Sequence, residues 1–242
     1  MFLTRYFLPF LTGLILAATP ATAAKYREID AIGVKTMMDD GNVLLVNPMT
    51  PIEFDNEHIP GSVNIPIEAL EEKLPKDKSM PLVFYCLGQK CVFSWRDADD
   101  AIALGYTNVH VFRGGIPEWK DAGYPTVSTA KLPEMVVRTV STAKLAQMLE
   151  SEEMILLDIN SESDAARFWI DTPKRVYISL HNLKERYTIL PKDKKIVVMC
   201  LRGQRGSTAV RFLASKGYRN LQLLEGGLER WVFEGRPVRQ GR

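Results

Sequence analysis

Short, uninterrupted apolar runs bounded by turn-forming residues recur along the chain. Val43-Leu44-Leu45-Val46 and Leu82-Val83-Phe84-Tyr85-Cys86 stand in the first half, Met154-Ile155-Leu156-Leu157 and Ile196-Val197-Val198-Met199-Cys200 in the second. Runs of this length without apolar/polar alternation predict strands buried on both faces, as in a parallel sheet covered by helices. Helical periodicity fills the intervals. Residues 207–216 place Val210, Leu213 and Ala214 on one face, and residues 141–149 place Leu145, Met148 and Leu149 together behind a Ser141 or Thr142 cap. Alternating strand and helix predicts an α/β fold.

The pattern occurs twice. Gly105-Tyr106-Thr107-Asn108, Gly114-Gly115, Trp119, Gly123 and Pro125 match Gly217-Tyr218-Arg219-Asn220, Gly226-Gly227, Trp231, Gly235 and Pro237 without a gap. Upstream, Leu74-Pro75-Lys76-Asp77-Lys78 corresponds to Leu190-Pro191-Lys192-Asp193-Lys194, and the apolar run after each ends in a cysteine. A self-similar unit of about a hundred residues predicts two α/β domains. We place the first at residues 25–127, a linker with Pro133 at 128–138 and the second domain at 139–242. Thr126 to Leu132 also recurs, residue for residue, as Thr139 to Leu145. The equivalent positions of Trp119 and Trp231 point to packing rather than ligand stacking.

A formal net charge of +2 over 242 residues, with no basic run, argues against a nucleic-acid or membrane-surface partner. Residues 1–24 differ from the rest: Arg5, an apolar stretch from Phe7 to Ala18, then small residues at Ala21 and Ala23. That order predicts a secretory signal peptide cut before Ala24, because a membrane-spanning helix needs about 20 apolar residues. The mature chain is therefore expected to be exported, to the periplasm in a Gram-negative source. In an oxidising compartment the three cysteines read differently. Cys86 and Cys91 are close enough to pair, as a stabilising disulfide, a redox-switchable pair or a second sulfur site, and Cys200 is then left over.

Cys200 ends a buried strand and opens the turn Leu201-Arg202-Gly203-Gln204-Arg205-Gly206 before a helix. Ligands bind at the carboxyl ends of parallel strands. Gly203 lets successive N–H groups curl into a cradle, and the helix start is expected to lower the Cys200 pKa towards the thiolate. Arg202 and Arg205 add positive charge. The site suits a sulfur nucleophile handling an anionic partner.

The loop Cys200-Leu201-Arg202-Gly203-Gln204-Arg205 resembles the active loop of rhodanese domains, C-x-x-G-x-R. The Gly-Tyr, Gly-Gly, Trp and Gly-x-Pro positions after it also match that family. Glu53-Phe54 followed by His58-Ile59-Pro60-Gly61-Ser62-Val63-Asn64-Ile65-Pro66 is similar to the family's other signature. The resemblance implies two rhodanese-like domains, each a mainly parallel five-stranded sheet flanked by helices. It also implies sulfur transfer from thiosulfate or a similar donor, through a Cys200 persulfide, to a thiol or cyanide acceptor, which could be an exported protein. Leu201 to Gly206 would bind the substrate, and neither metal nor organic cofactor is required. Departures fall differently in the two copies. The first has Asn47-Pro48-Met49 where the family has D-x-R, and its loop is two residues longer, with Cys91 at the position of Arg205 counting from the cysteine. The second keeps Asp158 and the loop but has Asp171-Thr172-Pro173-Lys174-Arg175 in place of H-I-P-G. Two other functions fit the residues: a persulfide carrier or partner-binding module without turnover, and a dithiol redox protein using Cys86 and Cys91. His58, within a turn, is read as structural.

Overall fold

The computed structural model describes residues 25–241 except Lys90, so the expected signal peptide lies outside the described residues. The first half runs β1 (Arg27–Glu28), α1 (Ala31–Asp39), β2 (Leu44–Asn47), α2 (Pro51–Asn56), β3 (Val63–Asn64), α3 (Leu70–Lys73), β4 (Leu82–Tyr85), α4 (Phe93–Ala103), β5 (Val109–Phe112) and α5 (Gly115–Asp121). The second runs β6 (Thr139–Val140), α6 (Thr142–Ser151), β7 (Met154–Asp158), α7 (Glu162–Arg167), β8 (Phe168–Trp169), β9 (Arg175–Tyr177), α8 (Leu183–Arg186), β10 (Lys195–Met199), α9 (Gly206–Ser215), β11 (Leu221–Leu224), α10 (Gly227–Phe233) and β12 (Arg239–Gln240).

Each half builds a five-stranded sheet, in order β1-β5-β4-β2-β3 and β6-β11-β10-β7-β9, with every neighbouring pair parallel. The central strands β4 and β10 are buried almost throughout, which is why they read as unbroken apolar runs. Helices cover both faces. In the second half Leu145, Met148 and Trp231 close one face, while Val210, Leu213 and Tyr218 close the other. Helix α6 begins where Ser141 accepts a hydrogen bond from the Lys144 N–H, so Ser141 is the cap. Strands β8 and β12 form a separate antiparallel pair.

The recurring motifs have repeated physical roles. Trp119 Nε1 donates to the Pro125 carbonyl at 2.8 Å, and Trp231 Nε1 to that of Pro237 at 3.0 Å. Tyr106 and Tyr218 donate their hydroxyls to carbonyls of the loop before the central strand, at Pro75 and at Leu190 respectively. His58 stacks on Phe54 and places Nδ1 2.7 Å from the Phe54 carbonyl, a local structural role.

The halves also share packing. Ile52 of α2 is buried in the core cluster of the second half, as is Leu132 from the connecting segment. That segment is strapped to both sides. Thr129 and Ala130 donate backbone N–H groups to Asp55, Leu132 donates to Asn56 Oδ1, and Arg211 of α9 donates to the carbonyls of Leu132 and Pro133.

Candidate active site

Cys200 follows the last residue of β10, and its loop climbs over the sheet's carboxyl edge into α9. Cys200 is 6% exposed. Backbone N–H groups of Gly206, Gly203, Arg205 and Arg202 point at Sγ, so the loop forms the expected cradle. Gly203 adopts φ +80°, the left-handed backbone that glycine allows. The Gly226-Gly227 pair lies directly beneath. A Cβ on Gly227 would stand 2.2 Å from the Cys200 carbonyl oxygen and 2.6 Å from the Gly203 nitrogen. Leu228 and Glu229 donate N–H groups to the carbonyls of Cys200 and Leu201, fixing the loop from below. The Gly-Gly repeat is therefore the floor of the cysteine loop.

The expectation of a lowered Cys200 pKa is corrected. Burial pushes the thiol up, and the four N–H groups pull it down without overcoming the loss of solvent. The arginines are engaged elsewhere. Arg202, at the rim, donates Nε to Glu229 at 2.9 Å. Arg205 reaches into the other half, donating Nη2 to Glu53 Oε2 at 2.8 Å and Nε to Oε1 at 3.3 Å. Its guanidinium carbon also lies 5.0 Å from the centre of the Phe93 ring, a cation–π contact. Arg205 thus presents its backbone N–H to the sulfur, while its charge is held by Glu53. Glu53 is itself fixed, accepting from the Thr50 hydroxyl at 2.6 Å and the Thr50 N–H at 3.1 Å. Leu201 and Gln204 are partly buried and exposed respectively, and Gly206 starts α9 packed against Leu223.

The equivalent place in the first half is closed. Cys86 and Cys91 form a disulfide, and Met49 Sδ sits 3.3 Å from Cys86 Sγ and 4.0 Å from Cys91 Sγ. Helix ends give a different equivalence from the count that begins at the cysteine. Phe93 precedes Gly105, and Arg205 precedes Gly217, by the same twelve residues, so Phe93 is the counterpart of Arg205. Cys91 belongs to the loop's extra residues. The two counterparts meet across the seam between halves, a relation legible only by counting back from the helix end. Glu53 was visible as part of a motif, but nothing local announces its partner 152 residues away.

Beside Cys200, Asp158 ends β7 and accepts hydrogen bonds from the Asn160 N–H at 3.1 Å and from Arg175 Nε and Nη2 at 2.9 and 2.8 Å. Burial raises its pKa despite these partners. Arg175, from β9, supplies the cation that the D-x-R motif would have placed at Asn160. Among the described residues no cluster of three His, Cys, Asp or Glu side chains could hold a metal, and no helix is long and apolar enough to cross a membrane.

Comparison with known proteins finds the same duplication. The Rhodanese-like domain family matches the chain over residues 31–122 and again over 141–234. A sulfurtransferase of Allochromatium vinosum is 29% identical over 104 residues, covering 43% of this chain and 95% of its own length. The putative sulfurtransferase YtwF of Bacillus subtilis is 31% identical over 104 residues, covering 43% of this chain and 98% of its own. Among solved structures, a thiosulfate sulfurtransferase from Pseudomonas aeruginosa aligns with 89% of this chain and 44% of its own at 17% identity, with a TM-score of 0.44. With the family matched once in each half and a five-stranded parallel sheet in each, the chain belongs to the rhodanese-like domain family and carries two such domains in tandem.

Proposed function

We propose that this protein transfers sulfane sulfur, with Cys200 as the atom that carries it. The observation that carries the reading is a free thiol ringed by four N–H groups at a strand end, while the other two cysteines are joined in a disulfide. Cys200 attacks the outer sulfur of thiosulfate or a similar donor, sulfite or its analogue leaves, and a persulfide remains on Cys200. The persulfide sulfur, one atom further out, takes up donor capacity of the loop. A thiol or cyanide acceptor then removes the outer sulfur and restores the thiol. Similarity to sulfurtransferases supports this chemistry. Export is part of the proposal, because a Cys86–Cys91 disulfide suits an oxidising compartment.

Mass mapping after thiosulfate treatment tests it. Cys200 should gain about 32 Da, one sulfur atom on the oxidation ladder of a thiol, and Cys200→Ser should lose both the adduct and thiocyanate formation from cyanide. Full turnover by Cys200→Ser would overturn the assignment. An adduct on Cys200 without steady-state turnover would identify a persulfide carrier instead.

A further inference from the structure

The charge around Cys200 is less positive than its loop suggests. Arg205 is bound by Glu53, which is 5% exposed and held in place by Thr50. Arg202 is bound by Glu229, from the helix that floors the loop. On the same seam between the domains, Lys184 of α8 is paired with Asp55 of α2. Each cation of the cysteine loop therefore has its own carboxylate, and the seam's lysine has another. What faces the sulfur is a set of neutral backbone dipoles. Such a cradle offsets part of the cost of one negative charge, whereas a dianion in a partly desolvated site needs a full positive charge nearby.

We propose that this neutralised loop selects sulfane donors carrying a single negative charge, of the thiosulfonate or small-persulfide kind, over dianionic thiosulfate, with Glu53 and Glu229 as the residues that set the preference. The inference rests on Cys200 being the sulfur acceptor. For a thiosulfonate the step balances. The Cys200 thiol forms a new S–S bond to the terminal sulfur of R–SO2–S⁻, and the bond between that sulfur and the sulfonyl sulfur breaks. The electron pair of the broken bond departs on the sulfinate R–SO2⁻. The proton of the thiol passes to the transferred sulfur, leaving Cys200–S–SH, and total charge is unchanged at minus one. With thiosulfate the same step releases sulfite, and two negative charges must enter the cradle.

The test uses the full chain and two donors that differ by one charge, methanethiosulfonate and thiosulfate, with thiocyanate formation from cyanide as the readout. The wild type should favour methanethiosulfonate in kcat/KM by roughly tenfold, the order expected for one uncompensated charge near a protein surface. Intrinsic donor reactivity contributes to that ratio, so the decisive quantity is how it changes. Glu53→Gln and Glu229→Gln, each releasing one arginine, should lower the ratio at least threefold, through a lower KM for thiosulfate rather than a higher kcat. A general loosening of the loop would instead reduce kcat for both donors together. Glu229 is on the surface, so its variant remains informative if Glu53→Gln folds poorly. An unchanged ratio in folded Glu229→Gln, or a wild type that prefers thiosulfate, would overturn the proposal. Transfer from neither donor would overturn the assignment of Cys200 itself.

Discussion

Burying the Cys200 thiol makes its ionisation costly, and four N–H groups from its own loop recover part of that cost. With the balance on the side of burial, the thiolate fraction at neutral pH lies below that of a free cysteine and rises tenfold per pH unit. Alkylation of the folded chain by iodoacetamide should therefore accelerate from pH 7 through pH 9 without levelling off. Only Cys200 reports, since the other cysteines are bonded to each other. A plateau at or below pH 7.5 would show that the loop and helix dipole win after all. The same shift has a consequence for stability. A thiol harder to ionise in the folded state contributes fully below its unfolded pKa, about 8.5, and loses that contribution as pH rises above it. Much of this site was legible because it is contiguous: Cys200, Gly203 and Arg205 lie within one turn. The direction of the pKa was not, because burial depends on the whole sheet and on helices packed over it. Nor was the commitment of Arg205 to Glu53, a contact between domains.

At the scale of elements, identical words take different structures. Thr126 to Leu132 and Thr139 to Leu145 share one sequence, yet the second forms β6 and opens α6, while the first forms only a bridge from Val127 to His58. The difference is the next residue but none: Pro133 follows Leu132, where Ala146 follows Leu145. A proline there removes a helical hydrogen bond and pushes the residue before it out of the helical region. Leu132 and Leu145 are both buried all the same, so the repeat keeps its anchor and loses its helix. The cysteine loop of the first domain shows a comparable trade. Helix α4 starts at Phe93 with no side chain capping its first turn, and the Cys86–Cys91 disulfide closes the loop immediately before it. Closing so short a loop is worth about 2 kcal/mol by loop entropy. Reductant, or the double change Cys86→Ser with Cys91→Ser, should lower the urea midpoint accordingly. An unchanged midpoint in protein shown by mass to be fully reduced would mean that packing around Met49 holds the loop without the bond.

For the whole molecule, the parallel sheets followed from apolar runs and the duplication from recurring Gly-Gly and Trp positions. The seam between domains did not, since side chains that meet there carry no periodic signal. Ile52 illustrates the point. By sequence it belongs to the first domain, on the helix that also presents Glu53, but it is 2% exposed within the core of the second. The two domains therefore share a hydrophobic residue as well as the Arg205–Glu53 pair, and loosening one should be felt by the other. Ile52→Ala removes buried side-chain atoms at a cost of about 2–5 kcal/mol, the range for such core truncations. If the seam couples the domains, amide exchange should quicken in β10 of the second domain as well as in β4 of the first. Exchange that quickens in β10 alone, the strand whose core Ile52 joins, would mean that the domains unfold separately. The outcome bears on the site directly, because α2 carries both Ile52 and Glu53: a coupled response means that the first domain, its own loop closed by a disulfide, holds the second domain's cysteine loop in shape.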